Sequence, residues 1–325
     1  MIHRSILLAT LLAVASACGD TDPQGEVERI TVPRGASLSA VAETLSRRGI
    51  IGSPRRFKLY AKATGREGNI QAGTFELPKG ASMRLVLRTL VSGTEALETL
   101  VLPEGLMLSE LPSLVQQQLG LDPDSFLVAS RDSELLRRLG ITAETLEGYL
   151  YPSTYYVTVT ATARDVVRQM VSEFDDRWRP EWNARLEELG MTRHEIVILA
   201  SIIEGEVRHE PDRKFVSSVY HNRLARGMRL QADPTVIYAL GRRRRLYQRD
   251  YRTPSPYNTY LINGLPPGPI TQPSEASLEA ALYPHNTNYL YFVARPDGKH
   301  VFSRTHREHL DATRDVRRQG TASQR

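Results

Sequence analysis

Cysteine is nearly absent: the 325 residues include one, Cys18. A chain with one cysteine has no internal disulfide, so its fold must rest on core packing. Tryptophan is scarce, with two residues, and the N-terminal apolar run "SILLATLLAVASA" is too brief to span a bilayer. There is no Gly-rich phosphate loop and no dinucleotide fingerprint, and the histidines, including His300, His306 and His309, lack metal-ligand spacing. The sequence therefore calls for no metal and no other cofactor. A dominant charge is lacking too. Against 37 acidic residues stand 42 Lys and Arg, interleaved along the chain, and a net charge of +5 is too weak to argue for nucleic acid.

What is present begins with His3 and Arg4 ahead of that apolar run, a signal-peptide pattern that predicts export. Ala15 and Ala17 fit a cleavage site. The next residue is Cys18, and "VASAC" resembles a bacterial lipobox, which predicts a lipid on Cys18 and membrane attachment through it. Residues 1–18 thus read as a signal peptide and 19–27 as a polar tether. The rest is ordinary globular sequence, 41% apolar and 24% charged, long enough for one large or two smaller domains.

Residues 28–95 predict a small module. A short alternating strand from Val27 leads through a turn at Pro33 to Gly35 into an amphipathic helix capped near Ser37. A second helix over Pro54 to Ala63 precedes the alternating segment "IQAGTFELPKG" and a third helix that stops at Gly93. This strand, helix, helix, strand order resembles the LysM carbohydrate-binding module. The segment "LETLVLPEGLMLSELPSLVQQQLG" starts a similar strand and helix, as a weak internal duplication would.

Residues 96–313 predict the main domain. The stretch "ARDVVRQMVSEFDDRWRPEWNARLEELG" is helical and broken by Pro180. Thr192 with Glu195 forms a capping box ahead of "EIVILASIIEGEV". Strands at "YLYFVARPDG" and "KHVFSR" flank an Asp297-Gly298 hairpin signal. From Arg314 to the end the sequence reads as a fraying polar tail. The fold class expected is α+β.

The apolar run after Thr192 ends in Glu204 and Glu206. At about 100° per residue Glu204 lies beside Val197, Ala200 and Val207, and Glu206 falls nearly opposite, beside Leu199 and Ile202. A carboxyl drawn into apolar surroundings keeps its proton to higher pH, the setting a general acid needs. A second outcome stays open, in which the helix surfaces there and the carboxylates meet water or pair with Arg208 or Arg213.

Further along come "NRLARGMRLQADPTVIYALG", "PYNTY", "GLPPGPI" and "YLYFV". Together with "ASIIEGE", and in this order, these segments resemble the MltG (YceG-like) family of bacterial endolytic murein transglycosylases. "EGYLYPSTYYV" and "LPEGLMLSEL" extend the similarity upstream. The resemblance implies that Glu204 is the catalytic acid in non-hydrolytic cleavage of the β-1,4 bond between N-acetylmuramic acid and N-acetylglucosamine. The product is a 1,6-anhydromuramyl end, and the family's place beside the peptidoglycan synthases implies strand termination. Glu206 is then a supporting residue that anchors "NRLARGMRL" or an arginine.

Gln231, Asp233, Tyr257, Asn258 and Tyr260 are the candidate substrate-binding residues, their rings and amides suited to sugar rings and N-acetyl arms. Asp233, just before a proline, also fits a turn or helix cap. "GLPPGPI" reads as a rigid cleft wall, and the run Arg242 to Arg245 as a solvated patch or a contact for lipid head groups or anionic glycans. Gly205, where relatives often carry a charge, marks a bend or a close sugar approach. Two alternatives remain at this point: a non-catalytic peptidoglycan-binding lipoprotein with a structural Glu204, and a hydrolytic muramidase using Asp233 as a second carboxylate.

Overall fold

Serine starts each of the first three helices. Ser37, Ser53 and Ser82 accept a hydrogen bond from the backbone N–H three residues on, which satisfies one of the donors a helix start leaves free. The computed structural model describes residues 26–93, 97–141 and 143–322. The lipobox-like Cys18, the signal-like run and nearly all of the tether lie outside the described residues. The chain divides into two compact units, the first reaching to Leu97 and including Thr158–Thr160, the second formed by the remainder.

The first unit runs β1 (Val27–Val32), α1 (Leu38–Arg47), α2 (Pro54–Ala63), β2 (Gly73–Pro78) and α3 (Met83–Ser92). The strands pair antiparallel, from Val27 against Pro78 to Val32 against Gly73. Alternation sends Ile30, Val32, Phe75 and Leu77 inward, where they meet Leu45, Phe57, Val86 and Leu90.

The second unit opens with β3 (Leu97–Val101), α4 (Leu111–Leu119), α5 (Pro123–Ala129), α6 (Ser133–Arg138) and β4 (Thr154–Thr158), with β3 and β4 paired. Helices α7 (Ala163–Arg177) and α8 (Glu181–Leu189) follow, separated at Pro180. Then comes α9 (Arg193–Glu206), started by the reciprocal bonds between Thr192 and Glu195. Ile196 to Ile203 are all buried, so α9 is the central rod of this core. Around it lie α10 (Arg213–Ala225), α11 (Asp233–Ala239) and α12 (Glu275–Leu282). The class is α+β, with its strands in three two-stranded sheets among the described residues.

A long-range brace closes this core. Gly105 N–H donates to Gln272 O and Gln272 N–H to Leu106 O, both at 2.8 Å. The Gln272 side chain accepts from Leu150 N–H at 3.0 Å and donates to Glu147 at 2.6 Å. Burial pushes the Glu147 carboxyl up to about 8, and its oxygens also accept from Leu108 N–H.

The C-terminal hairpin pairs β5 (Tyr291–Ala294) with β6 (His300–Ser303) through a turn in which Gly298 has φ 82°. Beyond it the structure departs from the sequence reading. The expected polar tail is helix: α13 (His306–Ala322) packs on β5 and β6. Its start is capped, with Arg304 N–H donating to Glu308 and Glu308 N–H to Thr305 Oγ1. Ion pairs Asp311–Arg314 and Asp315–Arg318 at helical spacing add a few tenths of a kcal/mol each.

Candidate active site

Helix α9 presents its two glutamates to different surroundings. Glu204 Oε2 accepts from Ser274 N–H at 3.0 Å, Ser277 Oγ at 2.7 Å, Arg213 Nη1 at 3.1 Å and the Ser274 hydroxyl. Its side chain is 9% exposed and that of Arg213 10%. Arg213 also forks onto Glu210 and donates to Ser277, so α9, α10 and α12 are tied together at one buried guanidinium. Glu104, a residue that sequence reasoning passed over, feels the same cluster. Its carboxyl is pushed up by burial and then by the Glu204 charge.

Glu206 lines a cavity of about 390 Å³ instead. Tyr220 Oη donates to it at 3.0 Å, and burial followed by the nearby Asp233 charge pushes its carboxyl up to about 7. Asp233 lines the cavity too and accepts from Tyr260 Oη at 2.6 Å and Tyr251 Oη at 3.3 Å. The two tyrosine rings sit edge to face at 4.6 Å, which fixes both hydroxyls.

What brings these carboxyls together is Gly205. A Cβ there would meet the Cβ of Pro234 at 2.7 Å, so the start of α11 can settle against α9 only at a residue without a side chain. The glycine thus marks no bend, since α9 continues to Glu206.

Gln231 forms another part of the cavity, with φ of 49°, a left-handed value that costs a non-glycine residue on the order of 1–2 kcal/mol. Thr259 holds it there, accepting from Gln231 N–H at 3.1 Å and Ala232 N–H at 2.9 Å. Strain maintained by such clamps is characteristic of functional sites.

Of the candidate residues, then, Glu206, Gln231, Asp233 and Tyr260 are assembled at one cavity. Asn258 is not, because it is wholly buried and its amide is used within its own loop. Nδ2 donates to Tyr251 O and Thr253 O, and Oδ1 accepts from Tyr260 N–H. It shapes the loop that carries Tyr260. Tyr257 lies tilted against Tyr238, ring centres 4.7 Å apart, among residues facing Glu147 and apart from the cavity lining. In the arginine run, Arg243 is bound to Glu110 and Arg244 forks onto Asp250, holding that carboxyl well below its ordinary range, while Arg242 and Arg245 stay exposed.

Sequence reading reached Arg223 and Tyr291 only as members of the segments "NRLARGMRL" and "YLYFV", and it did not reach Tyr220, which donates to Glu206 from outside the cavity lining. Only tertiary packing brings these side chains to Glu206. Among the described residues no cluster of His, Cys, Asp or Glu could hold a metal, and no helix is long and apolar enough to cross a membrane.

Comparison with known proteins adds to this geometry. The YceG-like family profile matches residues 30–315. An endolytic murein transglycosylase of Bacillus subtilis is 32% identical over 300 residues, covering 87% of this chain and 83% of the relative. A Streptococcus pneumoniae protein of the same name is 28% identical over 313 residues, covering 86% of this chain and 56% of its own length. The crystal structure of a YceG-like protein from Listeria monocytogenes matches with a TM-score of 0.62 at 34% identity, covering 89% of this chain and 99% of that one.

Proposed function

Since the chain belongs to the YceG-like family, we propose that it is an endolytic lytic transglycosylase of the bacterial cell envelope. It would cut the MurNAc–GlcNAc β-1,4 bond of nascent glycan strands and leave 1,6-anhydromuramyl ends that terminate elongation. The supporting observation is the cavity in which Glu206, its pKa about 7, faces Asp233 and Tyr260.

A carboxyl of that pKa holds a proton near neutrality and can give it to the glycosidic oxygen. As carboxylate it then takes the proton of the muramic 6-hydroxyl while that oxygen closes on the anomeric carbon. No water is consumed and no second carboxylate is needed as nucleophile. Asp233, fixed by two tyrosine hydroxyls, can face the positive charge that develops at the anomeric carbon. In this reading the acid is Glu206, and Glu204, tied to Arg213 and two serines, holds the helices in place.

A second reading keeps Glu204 as the acid. It is favoured by Glu204 Oε1, to which no hydrogen bond runs from the described residues, and by the neighbouring carboxyl of Glu104. Product mass spectrometry on purified glycan strands decides between them. Ends lighter by one water with the parent, lost in Glu206→Gln and kept in Glu204→Gln, support the first reading; the reverse pattern supports the second. Reducing ends would make the protein a hydrolase, and no cleavage at all would leave a binding module.

Two parts of the proposal rest on sequence. The first unit, whose first two helices lie between paired strands, is read as a LysM-like module that holds glycan. Cys18 is read as the lipid-bearing residue, which would keep the enzyme at the membrane near the peptidoglycan synthases.

A further inference from the structure

The cavity of Glu206 has lining groups that the proposed reaction leaves unused: Arg223 of α10, Tyr291 of β5, and His306 and His309 of α13. Tyr291 is their hub. The His309 ring lies nearly parallel to it at 5.4 Å, His306 stands at 5.7 Å, and the Arg223 guanidinium sits 5.3 Å from its centre. Arg223 is fixed by its own bonds, Nε to Leu290 O at 2.7 Å and Nη1 to Leu230 O. Its task is largely internal.

His309 is different. Its Nδ1 is buried without a hydrogen-bond partner, and no described residue bonds to its Nε2. A buried N–H without an acceptor is rarer in proteins than an under-used acceptor. The proton therefore belongs on Nε2, where the ring offers one donor to the cavity. Burial, His306 and Arg223 all push the His309 pKa down, so the ring is neutral at working pH. A neutral donor adds no charge beside the carboxyls of Glu206 and Asp233 and matches the uncharged hydroxyls and N-acetyl groups of a sugar.

We infer that His309 is a glycan-binding residue, seated on Tyr291 and donating its Nε2–H to an oxygen of the bound sugar, either a hydroxyl or an N-acetyl carbonyl. This rests on the reading of the cavity as the glycan site. It also gives α13 a role in the reaction, as the element that delivers the donor.

The test is steady-state kinetics on purified, peptide-free glycan strands, with calorimetric binding of the same strands in a Glu206→Gln background. His309→Phe keeps a ring against Tyr291 but loses the donor. It is expected to raise KM and weaken binding about tenfold while leaving the pH dependence of kcat in place. His309→Gln, whose amide nitrogen reaches the Nε2 position, is expected to recover most of the loss. His309→Asn, whose amide falls on the Nδ1 side, should not recover it, and it takes the place of the phenylalanine variant if that protein does not fold.

Unchanged binding and KM in both His309→Phe and His309→Asn would overturn the inference. So would a loss confined to kcat with a displaced pH limb, which would mean proton transfer. A parent that leaves no anhydro ends would refute the proposed reaction, whereas the calorimetric arm still decides whether His309 binds glycan.

Discussion

A Cβ added to Gly205 would come within 2.7 Å of the Cβ of Pro234. Two helices, α9 and α11, meet at that point, and each carries one cavity carboxyl a single residue away. The distance between Glu206 and Asp233 is therefore governed by the smallest side chain in the segment.

Replacing Gly205 by alanine pits two effects against each other. Helix propensity gains about 1 kcal/mol, while overpacking against a rigid proline ring costs typically 1–3 kcal/mol. Pro234 is buried in the first turn of its helix, so it cannot swing away cheaply. The variant is expected to melt a few degrees lower and to lose activity more than stability, because α11 moves Asp233 off Glu206. Thermal melts and kcat/KM measured together check this.

Stability should fall as pH rises. Glu206 and Glu147 have folded pKa values of about 7 and about 8 against an ordinary 4.5. The folded state therefore binds more protons than the unfolded one between pH 4.5 and those values, and unfolding free energy declines through that window. The slope is at most about 1.4 kcal/mol per pH unit for each group. Denaturant unfolding at several pH values should show the decline end near pH 8, and Glu206→Gln should flatten its lower part.

Turnover should follow the same proton. If Glu206 gives it to the leaving oxygen, kcat falls as pH climbs past about 7. Glu206→Gln should lose on the order of 10²–10⁴ in rate. A rate flat from pH 6 to 9 in the parent would contradict the assignment.

Arg213→Met should be far more damaging to the fold than Glu204→Gln. Removing the guanidinium leaves the Glu204 carboxylate in place with its charge unpaired, a loss of typically 3–5 kcal/mol for a buried pair. Glu204→Gln leaves Arg213 with Glu210 and should cost roughly half as much. The double variant should regain part of the loss, and urea midpoints for all three measure the coupling.

Tyr260→Phe removes a 2.6 Å hydrogen bond to Asp233 and leaves the ring against Tyr251. Stability should change by about 1 kcal/mol, whereas kcat is expected to drop at least tenfold. An unchanged kcat would mean that the orientation of Asp233 does not matter to the reaction.

Local features of the fold were legible in the sequence because their causes are local. The reciprocal Thr192 and Glu195 bonds and the hairpin at Asp297-Gly298 follow from nearest-neighbour chemistry, and the structure has both. Helix α13 was not legible. Its composition is polar, and the cap at Thr305 and Glu308 stands before a sequence with few apolar residues to signal burial. The site was legible as a set but not as an arrangement. Both faces of α9 are apolar, so periodicity put Glu204 and Glu206 on opposite sides without saying which side holds Arg213 and which holds Asp233. Asn258 was misread for a similar reason, since an amide suited to sugars is equally suited to backbone carbonyls in its own loop.

The brace through Gln272 gives the second unit an order in time. Glu147 and its amide partner are 125 residues apart, and the backbone pairing at Gly105 and Leu106 spans still more of the chain. While the polypeptide is being synthesised, the second unit lacks this brace until residue 272 has been made, and Glu147 has Leu108 but not yet the amide. The core of the second unit is therefore expected to seal late, and a nascent chain that stalls short of that glutamine leaves this unit without the strand-to-loop bonds that close it.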